Sequence, residues 1–442
     1  MKDILDRVRK EVDQAEVYHH RTRGVPIVFH SGALESIKIH EAEGLALRVV
    51  KGGRLGFSTT TDLADPRGMI ASAVAAAAFG DEAGFRFPSD GARQAPAVRD
   101  EAVLKLKDED LIERAEKAVR RLQEAAPEAE VNVTLGKGTE TVEIANSSGL
   151  TAFEERTIIG VGIEAALARE GDIYLLAGEA QGRFVSDIDL ERIVDRLVYY
   201  LSLADRIASV PSKPLPVVFT PRGAIALLMP LLAGFNGKSV LLGTSPLKGR
   251  VGEQVVDRRV TLVDDGTVVR GPRSAGFDDE GTPTARTALL EGGVVKGFIY
   301  DLRTAARAKA HPTGNGYKTS AFGGGGFRSL PGVSTSNTVL SPGTETEETL
   351  VAGIQEGLLV EAVLGLGQGN IQAGEFSNNV AIGFKIEKGK VVGRVKNTMI
   401  AGNVYDLLKD HLVALASEPE WTSGSIQTPA IVVDGVSVTS DG

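Results

Sequence analysis

The chain has 442 residues, 42% apolar and 24% charged, with 52 glycines, no cysteine and a net charge of −9. That length suits two or three domains with a sizeable core, and the composition is that of a chain folded throughout. The missing cysteines exclude disulfides, thiol nucleophiles and sulfur-ligated metals; the acidic balance, with no basic stripe, argues against nucleic-acid binding, which rests on many Lys and Arg contacts to phosphate.

Ile4, Leu5, Val8 and Val12 recur at helical spacing and predict an opening surface helix. Short β-forming runs follow at residues 15–22, 25–30 and 36–40, and residues 44–61 read as a hairpin around Gly52-Gly53. Asp65-Pro66 marks a helix start, with alanine-rich residues 70–79 continuing to Gly80 and a loop over 81–100. A helix over 108–125, strands near 131–135, 141–146, 151–167 and 172–181, and an amphipathic helix over 189–207 come next. Residues 210–216 then hold three prolines in seven positions, an extended connector that no helix tolerates. The domain boundary is expected there, giving an N-terminal α/β domain over 1–209, a β-rich C-terminal domain over 210–442 and an α/β (α+β) fold overall. Beyond it lie a strand at 217–219 and a helix over 221–233, expected to break or kink at Pro230. Strands, glycine turns and short helices fill the remainder, with the glycine-rich stretch 314–326 as the least complex segment. The start, Met1-Lys2-Asp3, is charged with no apolar signal core behind it, and no apolar run reaches the ~18 residues of a membrane span. A soluble cytoplasmic protein is the expectation.

Few residues present themselves as catalysts. His40-Glu41 lacks a second histidine at zinc-helix spacing, because positions 44 and 45 are Gly and Leu. His19 and His20 are neighbours in a predicted strand and point to opposite faces. His311 precedes the glycine-rich loop and His411 is expected on a helix after residues 374–408; neither has a partner assigned by spacing. No Gly-x-Ser-x-Gly surrounds Ser320 or Ser377, and neither Gly365-Leu366-Gly367-Gln368-Gly369 nor the glycines at 323–326 have the spacing of a phosphate cradle. Asp264-Asp265-Gly266 and Asp278-Asp279-Glu280-Gly281 offer carboxylates for calcium or for acid-base pairs, but Asp opening a turn and Gly closing it is ordinary turn chemistry.

The most distinctive stretch is residues 374–408, from Gly374-Glu375-Phe376-Ser377-Asn378-Asn379 to Asn403-Val404-Tyr405-Asp406-Leu407-Leu408. With Val263-Asp264-Asp265-Gly266, Phe277-Asp278-Asp279-Glu280-Gly281-Thr282-Pro283-Thr284 and Ser425-Ile426-Gln427-Thr428-Pro429 in the same order, the second half resembles the TldD/PmbA family. The resemblance implies two kinds of member. The TldD kind has a His-Glu-x-x-x-His helix and a later cysteine that hold zinc. Placed by way of Gly252-Glu253-Gln254-Val255, that helix falls on Leu228, Met229, Pro230, Leu231, Leu232 and Ala233, which offer none of the imidazole, thiolate or carboxylate donors that zinc takes. The chain is therefore similar to the metal-free kind, called TldE or PmbA, with a degenerate metal position at Leu228, Met229 and Ala233 and zinc expected in a TldD-type partner. The family further implies a metallopeptidase assembly, heterodimeric or homodimeric, whose cavity admits unfolded peptides, and an old association with DNA gyrase that the acidic charge makes indirect. Phe376, Ser377, Asn378 and Asn379 read as a loop suited to holding peptide backbone, since amides and hydroxyls bind without titrating; many relatives have Ser-Arg-Gly where this chain has Ser377-Asn378-Asn379. Two alternatives stay open: a stand-alone homodimeric peptide-binding protein, and a metal-free hydrolase built on His311, the carboxylates near Asp278, or Ser377.

Overall fold

The computed structural model describes residues 1–89, 96–169, 172–318 and 326–440; Ser320 and the glycines at 323–325 lie outside them. The fold is mixed α/β and rich in sheet. The N-terminal half is built on seven antiparallel strands: β1 (Gln14–His30), β2 (Ala33–Ile37), β3 (His40–Lys51), β4 (Arg54–Thr60), β5 (Glu130–Asn146), β6 (Thr151–Arg169) and β7 (Asp172–Gly182). Their order is β4-β3-β1-β5-β6-β7, with β2 beside β1.

Two pairs of short expected strands are in fact single long ones. Residues 15–22 and 25–30 merge into β1, and 131–135 and 141–146 into β5. Gly24 and Pro26, like Gly136 and Gly138, read locally as breakers, but the ladder carries the chain through: Gly24 faces Gly138 and Pro26 faces Gly136. Pro26, which has no N–H to donate, falls between the β3 pairing that ends at Gly24 and the β2 pairing that starts at Ile27.

Strand alternation gives the sheet two faces. One buries Val17, Leu47 and Val49 under helices Lys2–Val8 and Arg67–Ala76 at one end, and Ile27, Val133, Leu135 and Val161 under helices Asp108–Ala125 and Leu190–Ser202 at the other. The first of those latter helices has the expected bounds; the second stops at Ser202, short of residue 207. The opposite face carries Tyr18, His20, Thr22 and Gly24 from β1, with Ile144, Glu140, Gly138 and Gly136 from β5.

In the C-terminal half, strands Glu356–Leu364, Pro214–Phe219, Ile431–Ser440, Thr398–Asn403 and Glu375–Glu387 pair successively, and the last pairs back to the first, closing a ring. The prolines at 214 and 216 belong to a paired strand, with Pro214 opposite Ser437. Val218, Leu359, Phe384 and Val432 from this ring join the core under the N-terminal sheet. Helix Ile225–Ala233 runs through Pro230 without a break; Ala226, Leu227, Leu228 and Leu231 are all buried, so packing holds the helix where one backbone hydrogen bond is missing. A second sheet ends in the hairpin Glu420–Thr422 and Ile426–Thr428, with Glu420–Thr422 as its edge strand. No helix of the described residues is long and apolar enough to cross a membrane.

Candidate functional site

The residues singled out from sequence do not converge on one centre. Leu228 is wholly buried in the core around the strand ring, whereas Met229 and Ala233 are half-buried on the same helix. Residues 376–379 form a strand instead of a loop, paired with both Thr398–Asn403 and Glu356–Leu364. Phe376 packs edge-to-face on Phe219 in the core, and the Asn378 amide donates to the carbonyls of Leu364 and Gly365, so only Ser377 and Asn379 present side chains outward. His40, His311 and His411 are exposed. His19 and His20 do point apart, with Nε2 atoms 2.8 Å from Glu43 and 3.1 Å from Glu140. Among the described residues, no group of three or more His, Asp or Glu stands close enough to hold a metal ion.

The carboxylates read as turn chemistry do build turns: Asp278 accepts from the backbone N–H groups of Glu280, Thr282 and Gly316, with no histidine or serine side chain among its partners. They also do something the sequence did not reveal. Arg48 on β3 is clamped in bidentate fashion by Glu16 on β1 (both bonds 2.9 Å) and donates at 2.7 Å to Glu280, whose other oxygen accepts from the Leu302 N–H. Asp279 accepts from the Tyr18 hydroxyl at 3.0 Å and from the Lys318 N–H. Phe277 and Phe327 cover Tyr18, Ala46, Val142 and Ile144 beside these groups. One end of this second sheet face is thus sealed by the C-terminal half.

Burial dominates the electrostatics here. It raises the carboxyls of Glu16 and Glu280 against the opposing pull of Arg48, and raises Asp278, with the neighbouring charge of Glu280 adding to the rise. It also pushes Lys318 down to about 8, helped by the charge of Arg48 and opposed by Glu16, Asp279 and Glu280; its ammonium lies over the rings of Tyr18 and Phe57. Asp264, buried and bonded by Asn315 and Ser336, is pushed up to about 6 by desolvation. The shifts of Glu16, Glu280 and Lys318 belong to a structural seam between the two halves, and that of Asp264 to the interior of the C-terminal half.

Farther along, the same face is open. A trough of about 560 Å³ is floored by Thr22, Gly24 and Pro26 of β1, Thr134, Gly136 and Gly138 of β5, and Ile158, Gly160 and Gly162 of β6. Its far wall is the hairpin turn Trp421-Thr422-Ser423-Gly424, with Pro272 alongside. Ser423 and Gly424 take left-handed φ values of 48° and 75° to make that turn. Glu420 anchors the hairpin by accepting from Arg192 and, through both oxygens at 2.7 Å, from Arg196 on helix Leu190–Ser202. Trp421, the single tryptophan of the chain, is thereby held half-buried at the trough's edge. A smaller hollow of about 250 Å³ continues the trough past Thr134, Gly162 and Glu179 to Glu164 and Arg222. Such a concave, mostly apolar surface with few polar groups is what binding sites look like, and among the described residues that line it no nucleophile is paired with a base.

Three family models match along the chain: PmbA/TldA metallopeptidase domain 1 over residues 15–77, the central domain over 99–208 and the C-terminal domain over 212–440. The chain belongs to the PmbA/TldD family. A metalloprotease TldD homolog of Haemophilus influenzae is 27% identical over 99% of this chain and 94% of its own length, and an uncharacterized protein of Methanocaldococcus jannaschii is 26% identical over 98% and 99%. The crystal structure of TldE from Thermococcus kodakarensis superposes with a TM-score of 0.87 at 26% identity, covering 99% of each chain. The resemblance first carried by residues 374–408 therefore extends over both halves of this PmbA/TldD protein.

Proposed function

We propose that this PmbA/TldD-family chain is the non-catalytic, TldE-like subunit of a metallopeptidase that acts on unfolded peptides. The observation that carries the reading is Leu228: where the resemblance puts the first zinc ligand, the chain has an aliphatic side chain with 0% exposure, packed in the core. Met229 and Ala233 supply no imidazole or carboxylate, so the residues at this position do not fit zinc and no metal step is assigned to them. Likeness to the Thermococcus TldE along the full chain supports the same assignment. In this reading a TldD-type partner supplies zinc and the activated water, and this chain supplies the wall of the peptide path, within the cytoplasm. The test is hydrolysis of an unstructured peptide by the purified chain, by a TldD-type partner and by both together. The expected result is cleavage by the mixture and none by this chain alone; cleavage by this chain alone that resists chelation overturns the assignment.

A further inference from the structure

The glycines of the trough are not demanded by the fold. A Cβ added to Gly24 would come no nearer than 3.8 Å to its surroundings, to Gly136 3.7 Å and to Gly160 3.5 Å, and at Gly162 it would meet nothing within 4 Å. None of the four has a positive φ. Only Gly138 is sterically required, since its Cβ would lie 2.4 Å from the Arg23 carbonyl. Glycine inside a strand costs roughly 0.5–1 kcal/mol relative to alanine, so four such residues on one face weaken the sheet without any packing return. Their common effect is to strip side chains from the floor and bring a visitor down to the backbone opposite Trp421.

The charges at the end of this floor point to the visitor's chemistry. Glu179 pairs across the ladder with Gly162, and Glu164 lies two residues further along β6, on the same face. Both carboxylates are exposed in the hollow that continues the trough, and among the described residues neither has an ion-pair or hydrogen-bond partner. The cations that share a hollow with Glu179 are committed elsewhere: Arg222 to Glu361 and the Ala177 carbonyl, Arg192 and Arg196 to Glu420, and Arg270 to Asp187. An apolar floor with an aromatic wall and two uncompensated carboxylates complements a chain segment that is apolar at one point and cationic a few residues away.

We propose that the trough binds one extended segment of an unfolded peptide, seating a large aromatic or aliphatic side chain between the glycine floor and Trp421 and a nearby Lys or Arg at Glu164 and Glu179. This inference rests on the reading that the chain handles unfolded peptides, and it adds where and with what preference. Extended strands advance about 3.3 Å per residue with alternate side chains on one face, so the roughly 13 Å from Gly160 to Glu164 matches a basic side chain four residues from the seated apolar one and on the same face of the bound segment.

Because Trp421 is the only tryptophan, its fluorescence reports occupancy in the isolated chain without a label. The probe is a capped heptapeptide, acetyl-Gly-Phe-Gly-Gly-Gly-Arg-Gly-amide, titrated beside versions carrying Glu for Arg or Gly for Phe, with calorimetry as a second readout. We expect saturable binding of the Phe/Arg peptide, at least tenfold weaker binding of each altered peptide, loss of binding in Gly160→Val at an unchanged or higher Tm, and loss of the Arg preference in the double variant Glu164→Gln with Glu179→Gln. Should Gly160→Val fold poorly, Gly162→Ala, whose methyl enters open space, carries the same comparison. Wild-type affinity in these glycine variants overturns the proposal. So does a dimer in light scattering that Gly160→Val splits, which would make a second copy the occupant. The two readings fail separately: absent peptide binding together with normal cleavage by the mixed subunits sinks the trough alone, while peptide binding without any cleavage on mixing sinks the partnership alone.

Discussion

The two ends of one sheet face answer the same problem in opposite ways. At the sealed end, β1, β3 and β5 present Glu16, Arg48, Tyr18 and Ile144, and the C-terminal half closes over them with Phe277, Asp279 and Glu280. At the open end β1 and β5, at the same alternation, present Gly24, Gly136 and Gly138 to a void walled by Trp421. The sealed end sets Arg48 between Glu16 and Glu280 and ties Asp279 to Tyr18 and Lys318; the open end puts glycine at most of its floor positions. In the proposed reading the packed seam and the peptide trough lie at opposite ends of one sheet face, and substitutions at the two ends are expected to differ in sign as well as size.

The largest effect belongs to Arg48. Its replacement by Ala leaves Glu16 and Glu280 buried and facing each other without their cation, and breaking a buried pair in this way costs about 3–5 kcal/mol. Chemical denaturation of Arg48→Ala checks this; a loss below about 1 kcal/mol would mean that the seam is not what joins the halves. Lys318 comes next. Its folded pKa of about 8 lies below the ordinary 10.5, so between those values the unfolded chain holds a proton that the folded one does not. Stability from this residue therefore rises with pH from about 8 to 10.5, and the cost is full below that window. Lys318→Met should remove that slope and gain on the order of 3 kcal/mol at pH 7, read as the difference between the denaturation curves of the two proteins at pH 7 and 10.

At the open end the expected changes are small. Glu420→Gln loosens the clamp from Arg192 and Arg196, with a stability loss of about 1 kcal/mol and a red shift of Trp421 emission as the hairpin moves into water. Gly162→Ala should leave stability unchanged or raise it by about 0.5 kcal/mol, since the methyl meets nothing and the unfolded chain loses freedom. A clear loss in Gly162→Ala would erase the contrast between the two ends.

Periodicity made some of this legible in advance. Helix Asp108–Ala125 was readable to the residue because acidic residues open it and Leu111, Ala115, Ala118 and Leu122 repeat at helical spacing. The β1 and β5 strands were split because Gly24, Gly136 and Gly138 look like turns when their ladder partners are unknown; alternate glycines at 136 and 138 and again at 160 and 162 were the available signal of a bare sheet face. Residues 376–379 read as a loop from their amides, yet Phe376 and Asn378 serve a strand's packing and hydrogen bonding. The turn at Asp278 was readable from local chemistry, but the Arg48 to Glu280 bond spans 232 residues and no local pattern announces it. Trp421 and the two glutamates meet the glycine floor only through the tertiary fold.

The assignment of this PmbA/TldD-family chain as the metal-free subunit is tested most directly by counting metal. The purified chain and its complex with a TldD-type subunit are to be measured for zinc per polypeptide after exhaustive dialysis against zinc-containing buffer. The account predicts zinc at one per partner subunit and essentially none in this chain; one tightly bound zinc per isolated chain, held by its side chains, would contradict it.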